Sequence, residues 1–306
     1  MSWKFFTWLF TLLFIIFAVG GIFFYFLPFQ TTEFIPKIME NRNYNFSLSG
    51  DADMQFYNNM RYPSKIISYR VDGCNLKKAD DMKTAFDLLQ NATVLNFHPV
   101  IIDEDISVTC DERVKIEENY FIAGEGGPTN ITKTNNFNVI THGAILLLKN
   151  SDCERPNVAL HELLHALGFD HSKNPNNVMY NISKCDQTLG DDIPNAINML
   201  YSAPSYADLS FENASATMGG RYLDLNITIK NDGLQDSGKS KMTIYANNES
   251  VKEVDIDPIK IGEGLVMSFK NIFVTQFNVN NLRISIDSNF YELDKSNNEI
   301  NLEIKK

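Results

Sequence analysis

From Phe5 to Phe29 the chain runs 25 residues without a charge, dense in Phe, Leu and Ile. At about 1.5 Å per residue a helix of that length spans roughly 37 Å, enough to cross a bilayer with some tilt. Residues 1–29 are therefore expected to be a transmembrane signal anchor. The alternative is a cleaved signal peptide, with Phe5 to Phe17 as its apolar region and Ala18-Val19-Gly20 as the small-residue cleavage site. The apolar run continues through Leu27, where a mature N-terminus should turn polar, and this favours the anchor. Residues 30–60 are polar, rich in Asn and without apolar period, and read as a stalk closed by Tyr62-Pro63.

Periodic patterning then resumes. Ile66, Ile67, Tyr69 and Val71 form a β-rich run. Met82, Ala85, Phe86 and Leu89 recur at i, i+3, i+4, i+7 and predict an amphipathic helix over Lys77 to Thr93. Val94 to Ile102, Ile106 to Cys110 and Asn138 to Leu148 are further strand candidates, the last apolar enough at Ala144 to Leu148 to be buried on both faces. Residues 61–203 are expected to form an α+β domain around a mixed sheet. From residue 204 helical patterns give way to short alternating runs: Tyr222 to Lys230, Lys241 to Tyr245, Val254 to Ile259, Leu265 to Phe273, Leu282 to Asp287 and Ile300 to Ile304. With Asn231-Asp232-Gly233 as a turn, residues 204–306 predict an all-β sandwich of about seven strands.

Composition narrows the partners. With 306 residues and 44% hydrophobic side chains, the chain can bury two ordinary cores and is not disordered. A net charge of −11 repels a phosphate backbone, so nucleic acid is excluded as a partner. Four cysteines, Cys74, Cys110, Cys153 and Cys185, lack Cys-x-x-Cys metal spacing and read as disulfides formed outside the cell. If the Ile66 and Ile106 strands lie parallel and adjacent across a right-handed crossover, Cys74 and Cys110 leave the same sheet edge and pair. Cys153 is then left for Cys185. Asn-x-Ser/Thr triplets, such as that at Asn45, permit an outside location without requiring it.

Residues 161 to 171 read His-Glu-Leu-Leu-His-Ala-Leu-Gly-Phe-Asp-His. On a helix His161 and His165 share one face a turn apart and can reach one ion, while Glu162 sits one residue round, close enough to touch the ion's water. A helix cannot supply the third ligand. Gly168 offers a left-handed turn out of the helix that would swing His171 back to the same ion. Three neutral histidines leave the charge of a zinc ion uncompensated and one position open, the condition under which zinc acidifies a water. His98 and His142 have no ligand spacing and are expected to be ordinary strand or loop residues.

This segment resembles the extended zinc signature of the metzincin endopeptidases, with Met179 downstream as the Met-turn. Ser172 after His171, Tyr180 after Met179 and a closing helix opened by Asp191-Asp192-Ile193-Pro194 are similar to the matrixin (matrix metalloproteinase-like) branch. The resemblance implies a zincin-type fold of a twisted mixed sheet, three helices and a Met-turn. It also implies one catalytic zinc on His161, His165 and His171, Glu162 as general base, Met179 as an apolar floor and Tyr180 in the S1′ pocket. Phe121 to Gly127 would be the edge strand to which substrate adds. Calcium is compatible with the acidic surplus, but no ligand loop specifies it. Three family features are missing: no cysteine latency motif precedes the domain, Asn181 stands where a Pro would follow Tyr180, and no His-x-Asp motif with accompanying histidines offers a second, structural zinc site. The C-terminal domain resembles cell-adhesion-related, immunoglobulin-like (CARDB-like) modules through Ile229-Lys230-Asn231-Asp232-Gly233, Asp287, Glu292 and Asn297-Asn298-Glu299.

The expected protein is a single-pass cell-membrane zinc metalloendopeptidase, with both folded domains extracellular and proteins or peptides as substrates. A surface ligand of the C-terminal domain is left open. The competing readings are a non-enzymatic surface adhesion protein that binds through the sandwich, and the same protease secreted after signal cleavage.

Overall fold

The computed structural model describes residues 3–26, 31–37, 54–113, 115–117, 120–148, 153–276 and 278–305. The apolar N-terminal run forms α1 (Trp3–Phe26), with its apolar side chains exposed and a length and composition suited to crossing a membrane. Strand β1 (Thr31–Pro36) follows.

The next block holds β2 (Met60–Arg61), β3 (Ile66–Asp72), α2 (Leu76–Ala92), β4 (Asn96–Pro99), β5 (Ile106–Cys110), the small hairpin β6 (Lys115–Glu117) and β7 (Tyr120–Ile122), then β8 (Gly124–Lys133), β9 (Asn138–Leu147), α3 (Asn157–Ala166) and α4 (Asp192–Leu200). The sheet order is β2-β9-β5-β3-β4, with all four of those pairings parallel, and β8 adds antiparallel to β9 as an edge. This is the expected mixed sheet with three helices. Helix α2 starts where the Asn75 side chain accepts the Lys78 backbone N–H at 3.0 Å, and it buries Met82, Ala85, Phe86 and Leu89 as its periodicity predicts. These pack with Ile67, Val108 and Ile145 of the sheet and Leu163 and Leu164 of α3 in one core. The Val94 to Ile102 run shortens to β4, because Pro99 ends it and Ile101 and Ile102 face solvent.

Strand β3 sits between β4 and β5, so the crossover through α2 reaches β4 first; β3 and β5 are nonetheless parallel neighbours. Cys74 and Cys110 follow and end those strands at the same sheet edge and are bonded, and Cys153 is bonded to Cys185, as expected. The buried Lys78 ammonium closes that edge by donating to the carbonyls of Asp111 and Leu148.

The C-terminal half contains β10 (Leu209–Gly219), β11 (Tyr222–Asn231), β12 (Ser240–Ala246), β13 (Glu249–Ile256), β14 (Gly264–Phe273), β15 (Asn281–Ser288) and β16 (Glu299–Ile304), all paired antiparallel. The order β13-β12-β15-β16-β1-β10-β11-β14 includes one strand from far upstream. This corrects the stalk expected over 30–60 at its first part. Thr31–Pro36 is strand β1, bridging β16 and β10, with Phe34 in the sandwich core at 1% exposure. Its last part is corrected too: Met54 and Met60 are buried in the core of the first domain, Gln55 bridges to Phe169 and Met60 opens β2, while residues 38–53 lie outside the described residues. Strand β10, which the patterning did not single out, turns only Ala214, Ala216 and Met218 inward along most of its length, and alanines give a weak apolar signal.

The two halves share a junction. Phe137 and Val139 pack with Ala203 and Leu234, and the Asp232 carboxylate accepts the backbone N–H and side-chain amide of Asn135 at 3.0 and 2.7 Å. Beneath it, the buried Arg61 guanidinium donates to the carbonyls of Leu200 and Ala203 and lies 4.1 Å from the Tyr201 ring centroid.

Candidate metal centre and active-site cleft

Helix α3 carries His161, Glu162 and His165, all buried among Leu160, Leu163 and Leu164. It ends in a Schellman motif. Gly168 takes φ +94°, its N–H reaches the His165 carbonyl at 2.9 Å, and the Phe169 N–H reaches the Leu164 carbonyl at 3.1 Å. The chain reverses there and brings His171 back to the histidines of the helix, as the Gly168 spacing predicts.

The three imidazoles converge through Nε2. His165 Nε2 lies 3.0 Å from His161 Nε2 and 3.2 Å from His171 Nε2. These are not ordinary hydrogen bonds. The Nδ1 atoms of His161 and His165 sit 2.7 Å from the carbonyls of Val178 and Phe169, so each Nδ1–H donates to backbone and each Nε2 is left with a lone pair. Burial, and secondarily the neighbouring imidazoles, pull the His161 pKa down to about 4; burial also lowers that of His165. Neutral rings with converging lone pairs suit a zinc ion, and fixed Nδ1 donors are the outer support such ligands need. Among the described residues this is the one cluster of three or more His, Cys, Asp or Glu side chains close enough to hold an ion. His171 is half exposed, which leaves the centre open on its side. His98 is exposed on β4, and His142 on β9 meets the Thr129 hydroxyl; neither joins the centre.

Met179 is fully buried, and its turn does two things for the site. The Val178 carbonyl orients His161, and the Met179 carbonyl accepts the Ser172 N–H at 2.8 Å, tying the turn to the residue after His171. Asn177 holds the turn by accepting the Met179 N–H at 2.8 Å. Tyr180 is half-buried and bridges to Ser172. The Cys153–Cys185 bond ties the segment before α3 to the loop after this turn.

Glu162 lies 6% exposed under strand β8, and burial, with Glu125 as a second cause, pushes its pKa up to about 8. The strand can lie so close because Gly124 and Gly126 stand where side chains would meet the helix. A Cβ on Gly124 would stand 2.7 Å from Glu162 Cγ, and one on Gly126 would stand 2.2 Å from the Glu162 carbonyl oxygen. Of the segment expected as edge strand, Gly124 to Gly127 belong to β8, whereas Phe121 belongs to the separate β6-β7 hairpin.

The patterning did not identify three contributors. Glycines at positions 124 and 126 share one face of a strand, a legible sign of close backbone approach. Glu125 acts on Glu162 only through the fold. Phe56 stacks on His165 with centroids 5.7 Å apart, because residues 54–56 pair with residues 168–170, and no local signal announces that contact.

Compared with known proteins, residues 59–202 match the family model described as Matrixin and residues 207–302 match the CARDB model. No curated protein compared with the chain matches it. Among solved structures, the chain is similar to the CARDB domain of the PF1109 protein from Pyrococcus furiosus, solved in complex with di-metal ions. That similarity is 19% identity over 32% of this chain and 88% of the other, with a TM-score of 0.28. The Matrixin match supports a metallopeptidase.

Proposed function

From a chain whose residues 59–202 form a matrixin domain and whose residues 207–302 form an all-β CARDB domain, we propose a membrane-anchored zinc endopeptidase that cleaves extracellular proteins or peptides. The observation that carries this reading is the convergence of the His161, His165 and His171 Nε2 atoms, with Glu162 beside them under Gly124 and Gly126 of β8. When bound, zinc would supply Lewis acidity to the scissile carbonyl and to water.

The chain's own residues do the rest. His161, His165 and His171 hold the ion, and the Val178 and Phe169 carbonyls fix the rings of the first two. Glu162 takes a proton from the attacking water and delivers it to the leaving amine. Burial supports that role, because a carboxylate raised toward neutrality can both accept and return a proton near pH 7. An extended substrate adds along the edge of β8 that has no strand partner among the described residues, and Tyr180 contributes to the S1′ wall. Helix α1 anchors the chain, and the two disulfides suit an oxidising exterior.

The test is Glu162→Gln in the zinc-loaded protein. Hydrolysis of a quenched peptide library is expected to fall by about 10²- to 10⁴-fold, with the metal retained by elemental analysis. Unchanged hydrolysis would refute the role of Glu162. Zinc bound without chelator-sensitive hydrolysis in the unsubstituted protein would refute the peptidase reading.

A further inference from the structure

In sequence the order is α1, catalytic domain, sandwich; in space it differs. We infer that the sandwich is the membrane-proximal domain, that β1 is the strand holding it to the anchor, and that the turn joining β10 and β11 faces the lipid headgroups. The inference rests on reading α1 as a retained anchor.

Only residues 27–30 separate α1 from β1. Strand β1 enters at one defined end of the sandwich, because Thr31 lies opposite Gly219 and Phe34 opposite Ala216. It runs between two partners, pairing with β10 and then, through Phe34 to Pro36, with β16. The C-terminus secures it further. The Lys305 N–H donates to the Glu33 carbonyl at 2.8 Å, and its ammonium meets the Glu33 carboxylate at 2.7 Å.

A second contact joins the anchor to the same end. The Arg221 guanidinium, in the β10–β11 turn, lies 4.5 Å from the Tyr25 ring of α1 and 4.9 Å from the Phe273 ring, while donating to the Val274 and Thr275 carbonyls. An arginine between aromatic rings at the end of an apolar helix has the chemistry of a bilayer interface. The catalytic domain meets the opposite end, where Asp232 and Leu234 receive Asn135 and Phe137. The 11 residues of β10 connect the two ends, a rise of about 35 Å. The sandwich therefore lifts the cleft off the bilayer, and β1 makes a second attachment between enzyme and anchor besides the covalent chain.

That second attachment is testable in the full chain, in membranes, with a site for a sequence-specific protease placed between residues 40 and 50. Cutting there severs the only covalent link between α1 and the 54–306 fragment. The fragment is expected to stay with the membrane pellet after the cut, at about nine-tenths of the uncut amount, and Phe34→Asp is expected to release it. A Glu33→Cys, Thr217→Cys pair, which face each other across β1 and β10, is expected to link the cut pieces on a non-reducing gel. Release of the cut, unsubstituted fragment while uncut chain stays in the pellet would overturn the strand attachment. Extraction of uncut chain by alkaline carbonate would instead overturn the anchor, and with it the membrane-facing end.

Discussion

Replacing Gly126 by Ala is the sharpest perturbation of the cleft. The added Cβ would lie 2.2 Å from the Glu162 carbonyl oxygen and 2.9 Å from its Cα and carbonyl carbon. A carbon–oxygen contact needs about 3.2 Å, so strand and helix overlap by roughly 1 Å, and neither side is a flexible tip that can swing away. Strand β8 must retreat from α3 by about that distance. Overpacking of this kind costs about 1–3 kcal/mol, or a Tm loss of roughly 2–10 °C for a domain of this size. The same 1 Å separates bound substrate from Glu162, which predicts a fall in kcat/KM of about 10²-fold. Calorimetry and hydrolysis of a quenched peptide measure both. Gly127→Ala is the control: its Cβ meets nothing within 4 Å, so stability should stay within about 0.5 kcal/mol. Gly124→Ala separates the two effects, because it meets the Glu162 side chain rather than backbone; activity should fall more than Tm. A Gly126→Ala protein with unchanged Tm and kcat/KM would refute the close-approach argument.

Other outcomes follow from the same geometry. Cys153→Ser with Cys185→Ser opens a loop with a sequence separation of 32 and should cost about 3–4 kcal/mol in urea unfolding, with weakened zinc affinity because that bond ties the Met-turn loop to α3. Arg61→Met leaves the Leu200 and Ala203 carbonyls without their donor and should cost about 3 kcal/mol, read by the same method. Asp208 gives a pH signature. Burial, together with the Asp232, Glu292 and Asp294 charges and against the Asn297 hydrogen bond, raises its pKa to about 6. The unfolded chain releases that proton near 3.9, so between about pH 4 and pH 6 the folded state binds more protons and stability falls as pH rises. Asp208→Asn removes this loss, and its stability relative to the unsubstituted protein should improve by about 3 kcal/mol between pH 4 and pH 7. A difference that is the same at both pH values would show that Asp208 is not the group responsible.

Much of the molecule was legible in its residues alone. The metal triad is set by short-range geometry: a helical turn separates His161 from His165, and a left-handed Gly168 closes the path to His171. Such relations survive in any fold that forms the helix, which is why the convergence of the three histidines could be expected from spacing, whereas the roles of Glu162 and Met179 came from the family resemblance. Helix α2 and most strands followed from apolar period, and the disulfide pairing followed from the expected parallel adjacency of β3 and β5, although the crossover through α2 leads to β4 instead.

The tertiary structure alone decided the rest, and in each case the reason is nonlocal backbone contact. Strand β1 turns one buried side chain, Phe34, into the core, and its partners lie near residues 217 and 303, so a polar six-residue segment reads as stalk until its hydrogen bonds are seen. The approach of β8 to Glu162, the Phe56 stack on His165 and the Asn135–Asp232 junction all join segments distant in sequence, through backbone pairing or single side-chain contacts that leave no periodic trace. Side-chain spacing thus determined which histidines converge, whereas the packing of distant strands decided what covers them and which domain holds the strand that follows the N-terminal helix.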